Sequence, residues 1–364
     1  MLAALKAASA MAQDVAIGQV GPFSGSPGTE AVEIRDGARA CLDQVNRTGG
    51  VHGRRLVLFT LDDTFDPAVF LQRFEDALAR HPVALLPLVG SPTIAGLLRS
   101  GLLESSGIVV MGTVPGSDAF RLPGRNNLFH VRASDRAQFE RILQHCRTLG
   151  IRRIHVIFQD IPVGDASLAV IQASAKATGD LSITSTRVAN SAEALASAAR
   201  LPAVQDTESV IVFGIPSFMA NAVVQLRRAG VRHSIFALSY LDVRLAQRAI
   251  GTDAARGLGI TETFPNPNGH NQLLQRDFQS AMERVFPALH GYTTFQLEGY
   301  VAARVLVAGL RRVDGPPTPA ALASALRGMG ELDLGGFDVN FGKGNAGSAW
   351  TDIGVMSSQG RLEY

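Results

Sequence analysis

The stretch VALLPLVGSPTIAGLL, Val83 to Leu98, decides how the chain is read. Its first half is an apolar run of strand length ending at Gly90; Ser91, Pro92 and Thr93 then open a helical pattern that carries Ile94, Leu97 and Leu98. Ser91 suits an N-cap, and Pro92 suits the first helical position, where its missing N–H costs nothing. The free amides of that first turn point past the end of a buried strand, an arrangement that binds anions. An ordinary strand-to-helix connection in a parallel sheet reads the same way. The rest of the chain has to separate the two.

The same alternation continues on either side. Residues 14–20 read as a strand that leaves through GPFSG (Gly21 to Gly25), and a helix follows with Ile34, Ala38, Cys41, Leu42 and Val45 on one stripe. Residues 56–61 form a second strand ending in Asp62 and Asp63, and Asp66 with Pro67 opens the next helix. Residues 108–111 are a fourth strand with a long exit loop. Past Phe129 to Arg132 the rhythm restarts, with helices over 135–149, 165–177, 192–201 and 218–229 and strands over 154–158, 181–186, 209–213 and 234–238. Such alternation specifies an α/β fold with parallel sheets covered on both faces.

Residues 257–264 are extended, and three helical patterns follow over 271–285, 293–313 and 319–326. The tail reads as an antiparallel hairpin, 337–341 and 349–356 joined through GKGNAG. Chain crossings between two halves are expected near 131–135, 258–264 and 333–339. The expected lobes are 13–131 plus 260–335, and 135–258 plus 338–364.

A chain of 364 residues is long for one core and suits two domains. Hydrophobic residues make up 46% and charged residues 18%, a balance that favours burial over disorder. The 34 basic residues face 32 acidic ones and form no run that could track a phosphate backbone, so no nucleic-acid partner is expected. The opening MLAALKAASAMA (1–12) resembles a truncated secretory signal peptide cut before Gln13, or else a frayed terminus. Cys41 and Cys146 each sit on the apolar stripe of a helix, which predicts two buried thiols; a disulfide would need their Cα atoms within about 7 Å.

Catalytic signatures are wanting. Gly342, Gly344 and Gly347 form G-x-G-x-x-G, but a strand pattern follows where a dinucleotide site needs a helix. The eight histidines have no carboxylate or cysteine partner at metal-ligand spacing, so neither metal nor cofactor is expected. Asp62 and Asp63 are adjacent on a strand and face opposite ways, which suits strand-end capping better than acid–base work. The sequence thus reads as a binding protein and not as an enzyme.

Five segments carry a family resemblance: GPFSG, VNRTGGVHGRRL (Val45 to Leu56), LDDTFDP (Leu61 to Pro67), VGSPT (Val89 to Thr93) and YTTFQLEGYVAARVL (Tyr292 to Leu306). The chain resembles the type I periplasmic binding proteins, and within them the leucine/isoleucine/valine-binding branch that feeds ABC transporters. The resemblance implies two Rossmann-like doubly wound lobes joined by a three-strand hinge, with the ligand in the inter-lobe cleft and capture by hinge closure. It implies a periplasmic protein whose partners are a small amino acid or related carboxylate and an ABC permease of the inner membrane; no further stretch is long and apolar enough to span a bilayer, so a soluble mature protein is expected, and a monomer is the simplest assembly for a chain that closes on its ligand. A periplasmic ligand-sensing module for a receptor or regulator is the alternative.

Carried over by position, the family's carboxylate loop falls on Gly90, Ser91 and Thr93, and its second contact loop on Gly112 to Ser117, with Val114 and Gly116 nearest the contact positions. Two family tyrosines fall on Val163 and near Ile215. The acid that pairs with the ligand ammonium falls near Tyr240, with Asp242 two places on. These departures allow a ligand that is a small carboxylate with an apolar or aromatic body and no amine, because a buried ammonium without a carboxylate is costly.

Overall fold

The computed structural model describes residues 13–24, 29–121, 127–241, 243–251 and 255–364. The 1–12 segment, Gly25 and Asp242 lie outside these. The chain divides into two compact units. Of the described residues, the first unit takes those up to Val114, Asn127 to Val131 and His270 to Gly347; the second takes Pro115 to Arg121, Arg132 to Gly269 and Ser348 to Tyr364.

The first unit opens with β1 (Val15–Gly21), β2 (Leu56–Asp62), β3 (Ala84–Leu85) and β4 (Val109–Val110). All pair in parallel, in the order β2-β1-β3-β4. The run beginning at Val83 is thus shorter as a strand than its hydrophobicity predicts. Pro87 has no N–H for the ladder, and pairing resumes only as a bridge between Leu88 and Thr113.

The second unit follows with β5 (Arg153–Gln159), β6 (Ser182–Val188), β7 (Ser209–Phe213), β8 (Ser234–Ala237) and β9 (Leu258–Glu262). The chain then supplies helices Leu273–Val285, Thr294–Leu310 and Pro319–Arg327 and the antiparallel pair β10 (Glu331–Asp333) and β11 (Asp338–Asn340) to the first unit. It ends in the second unit with β12 (Asp352–Met356) and β13 (Leu362–Glu363). The second sheet runs β13-β12-β9-β8-β7-β5-β6, with β12 antiparallel to both β9 and β13.

The expected tail hairpin is therefore corrected. β11 closes on β10, and β12 pairs with β9 some 90 residues upstream in sequence, because both flanks of GKGNAG find longer-range partners. The lobe boundaries shift for the same reason. Residues 258–264 lie inside the second unit, where β9 is sandwiched between β8 and β12. Residues 338–347 stay in the first unit, where the Gly347 N–H donates to the His130 carbonyl at 2.8 Å. The described chain passes between the units after 114, between 121 and 127, and after 131, 269 and 347.

Helix Thr294–Leu310 forms the spine of the first unit, with fourteen of its residues buried, and Thr293 caps it in a capping box with Gln296. Cys41 and Cys146 are buried and free, one in each unit. Burial pushes their thiols up to about 12 and about 11, so neither is a reactive thiolate at neutral pH.

Candidate functional site

Both sheets share one connection rule. In the first, β1 is followed by β2 on one side and β3 on the other; in the second, β5 is followed by β6 on one side and β7 on the other. Each sheet thus reverses its winding once, and in doubly wound folds ligands bind beyond the carboxyl ends of the strands at that reversal.

In the first unit the β3 exit carries the Gly90 turn. Helix Ser91–Ser100 begins there, with Gly90 in the N-cap position at φ +95° and no side chain capping the helix. This corrects the expected cap: Ser91 is the first helical residue and Pro92 the second. Only a glycine accepts this backbone easily, and a Cβ at Gly90 would meet the Phe65 ring at 3.0 Å and Thr93 Oγ1 at 3.1 Å. The first intrahelical bond runs from the Ile94 N–H to the Gly90 carbonyl at 3.1 Å. The amides of Ser91 and Thr93 therefore have no helical acceptor. Val114 is alongside, its N–H donating to the Leu88 carbonyl at 2.8 Å. The four expected residues of this unit are brought together.

The neighbouring strand exit is occupied by Asp62 and Asp63. Asp62 accepts from the Phe23 N–H at 2.9 Å and the Thr64 N–H at 3.0 Å, joining the β1 and β2 exit loops. Burial works against the Asp62 charge, but hydrogen bonds from Ser24, Thr64 and Phe23 outweigh it and hold the carboxyl below its usual range. Asp63 is fully buried and not solvated as its strand-end position suggests. It accepts from the Phe65 N–H at 2.8 Å while its Oδ2 has no partner, and burial pushes it up to about 6.

In the second unit, Val163 stands in the first turn of helix Pro162–Thr178 after β5, half-buried. Ile215 precedes helix Pro216–Arg228 after β7 and is 44% exposed. Gln159 ties the two exits together, accepting from the Ile215 N–H at 2.9 Å. The winding reversal of the second sheet is thus edged by two apolar side chains where the resemblance implies tyrosines.

Tyr240, just past β8, meets Gly116. The Gly116 N–H donates to the Tyr240 hydroxyl at 2.7 Å, and that hydroxyl donates to Asp135 Oδ1. Asp135 in turn donates its N–H to the Gly116 carbonyl at 2.9 Å. A Cβ on Gly116 would lie 2.6 Å from Asp135 Oδ1 and 3.0 Å from the Tyr240 hydroxyl, so the site requires glycine. Two guanidiniums surround the group. Arg132 is buried, donates to Ser239 Oγ at 2.7 Å, and lies over the rings of Tyr240 and Phe264 at 5.7 and 5.8 Å. Arg121 donates to the carbonyls of Gly116 and Arg132 at 3.3 and 3.0 Å. Burial pushes Asp135 up to about 6 against the pull of the Tyr240 hydrogen bond and both arginines. Arg121, Arg132 and Asp135 are absent from the sequence-derived site. Asp135 and Arg132 showed themselves there only as a helix start and a crossing.

The strand order, the two winding reversals and the glycine-led turn beside one of them match a known family. Residues 14–361 match the periplasmic binding protein family. The chain belongs to that family. Its members are ligand-binding proteins of the periplasm and not enzymes, which bears out the reading from motifs. Among similar proteins is the Leu/Ile/Val-binding protein BraC3 of Rhizobium johnstonii, 20% identical over 94% of this chain and 91% of that one. An extracellular ligand-binding receptor from Verminephrobacter eiseniae superposes with a TM-score of 0.92 at 38% identity, covering 96% of this chain and all of that one. A substrate-binding periplasmic protein from Ralstonia solanacearum gives 0.85 at 26% identity over 96% and 99%. Among the described residues, no helix of this periplasmic binding protein is long and apolar enough to cross a membrane.

Proposed function

We propose that this chain is the substrate-binding component of an ABC importer, and that it captures a small amino acid or related carboxylate with a branched or aromatic apolar body. The observation that carries the reading is the Gly90 turn: a helix start without a side-chain cap, at the carboxyl end of a parallel strand, in a family of ligand-binding proteins. Relatives such as the Leu/Ile/Val-binding protein of Rhizobium johnstonii support candidate ligands of that size with an apolar body. Within the second unit, Val163 and Ile215 present apolar surface at its own winding reversal.

Whether the ligand carries an amine turns on the second unit. The Tyr240 hydroxyl is already committed to Asp135 and Gly116, and the charges of Arg121 and Arg132 act on the Asp135 carboxylate. Among the described residues of that neighbourhood Asp135 is already paired, which favours a carboxylate without an ammonium; Asp242, the other candidate acid, lies outside them. A thermal-shift panel of L-leucine, L-valine, aromatic carboxylates and α-keto acids tests the proposal. A ligand at a hundred times its dissociation constant adds about 2.7 kcal/mol of stability. Stabilisation by keto or aromatic acids is expected; stabilisation by leucine alone moves the ligand to the amino acids, and a flat panel rejects the carboxylate class.

A further inference from the structure

Phe65 stands beside the first winding reversal with a strained backbone and a partly exposed ring. Its φ is +62°, that of Thr64 before it is +52°, and two successive non-glycine residues in the left-handed region are costly, the more so for a bulky aromatic. Three hydrogen bonds hold the pair in place: Thr64 N–H to Asp62 at 3.0 Å, Phe65 N–H to Asp63 at 2.8 Å, and Asp66 N–H to the Asp63 carbonyl at 2.9 Å. A loop that only had to turn would place glycine or asparagine here.

The ring is not a core element. Phe70 and Phe74, a few residues on, are fully buried and pack on each other at 5.9 Å, whereas Phe65 stays 39% exposed. Its edge instead lies 3.0 Å from where a Gly90 side chain would begin, so the absence of a side chain at Gly90 is what admits the ring. An exposed aromatic face beside uncapped helix amides offers apolar contact next to anion recognition, the pairing that a carboxylate with an apolar body needs.

We propose that Phe65 is a specificity-determining residue: its ring receives the apolar body of the ligand whose carboxylate sits at the Gly90 turn. The inference rests on the carboxylate-binding reading above and adds the residue that selects among carboxylates.

The test compares Phe65→Ala and Phe65→Leu with the wild-type chain, by calorimetric titration with phenylacetate, 4-methyl-2-oxopentanoate and L-leucine, and with acetate as a carboxylate lacking a body. The expected result is a loss of roughly tenfold in Phe65→Ala for the tightest apolar-bodied probe, with acetate changed less than about twofold. Phe65→Leu keeps apolar volume without the flat face and is expected to lose about threefold; it also answers the question if Phe65→Ala does not fold. Unchanged affinity for the apolar-bodied probes overturns the inference and leaves the carboxylate reading standing. Equal weakening of acetate and the larger probes also overturns it, since Phe65 would then only prop the Gly90 turn. If the wild-type chain binds none of the four, the carboxylate reading itself fails and takes the inference with it.

Discussion

The Gly90 turn and the Gly116 cluster are built from the same materials and put to opposite uses. At Gly90 a glycine leaves space, the helix start is uncapped and an aromatic ring is held open beside it. At Gly116 a glycine also leaves space, but Tyr240 and Asp135 fill it and are hydrogen-bonded to each other and to the Gly116 backbone, with two arginines beside them. The difference is in where hydrogen-bonding capacity is spent. A polar group already paired within the fold has little to offer a ligand, and removing it damages stability first. The first region is therefore read as the recognising one and the second as a strut.

The strongest break in that comparison is Asp135→Ala. It removes the acceptor of the Tyr240 hydroxyl and a buried negative charge that acts on Arg121 and Arg132, and a loss of about 3 kcal/mol in urea unfolding is expected. A much smaller loss would mean that the arginines find other partners and that the cluster is no strut. Gly116→Ala comes next, with about 2 kcal/mol lost because its Cβ would lie 2.6 Å from Asp135 Oδ1. Gly90→Ala should invert the pattern, costing about 1 kcal/mol of stability through its φ of +95° yet weakening ligand binding more than about tenfold. A Gly90 variant that loses stability but binds normally would erase the distinction between the regions.

A smaller effect separates Asp63 and Asp135, both raised to about 6 by burial, by pH. Asp63 is raised from 3.8 to about 6 in the folded chain, so the folded state favours its protonated form. Its contribution to stability is fully present below about pH 4 and is lost as pH rises through about 6. Asp63→Asn keeps the acceptor for the Phe65 N–H and should remove roughly 1–2 kcal/mol of pH dependence over that window, measured as melting temperature against pH. An unchanged pH profile would place the titration elsewhere, Asp135 being the other acid raised to about 6. The smallest change is Tyr240→Phe. About 1 kcal/mol of stability should go with the hydroxyl while ligand affinity moves by less than about threefold; a collapse in affinity would make Tyr240 a contact and not a support.

Much of this was legible along the chain. The alternation of apolar runs with 3.6-residue patterns placed the parallel sheets, and Gly90, Ser91, Thr93 and Val114 fell at one strand-exit cluster because strand ends and helix starts are written locally. The cap was misplaced by one residue, since the positive φ at Gly90 lets the helix begin a residue early. Phe65 went unread because an aromatic in LDDTFDP looks like core; only its backbone angle and exposure mark it out. The tail hairpin failed because two adjacent strands predict each other only when neither has a better partner.

What the sequence by itself determined was periodicity: two α/β halves, buried thiols at Cys41 and Cys146, and the loops at the strand exits. What only the tertiary structure decided was who meets whom. Gly116 and Tyr240 are 124 residues apart, Asp135 and Tyr240 are 105 apart, and no local pattern encodes such a meeting. It follows from sheet order and from the absence of a side chain at Gly116, because a close-packed interior admits that contact only when every intervening strand is in place.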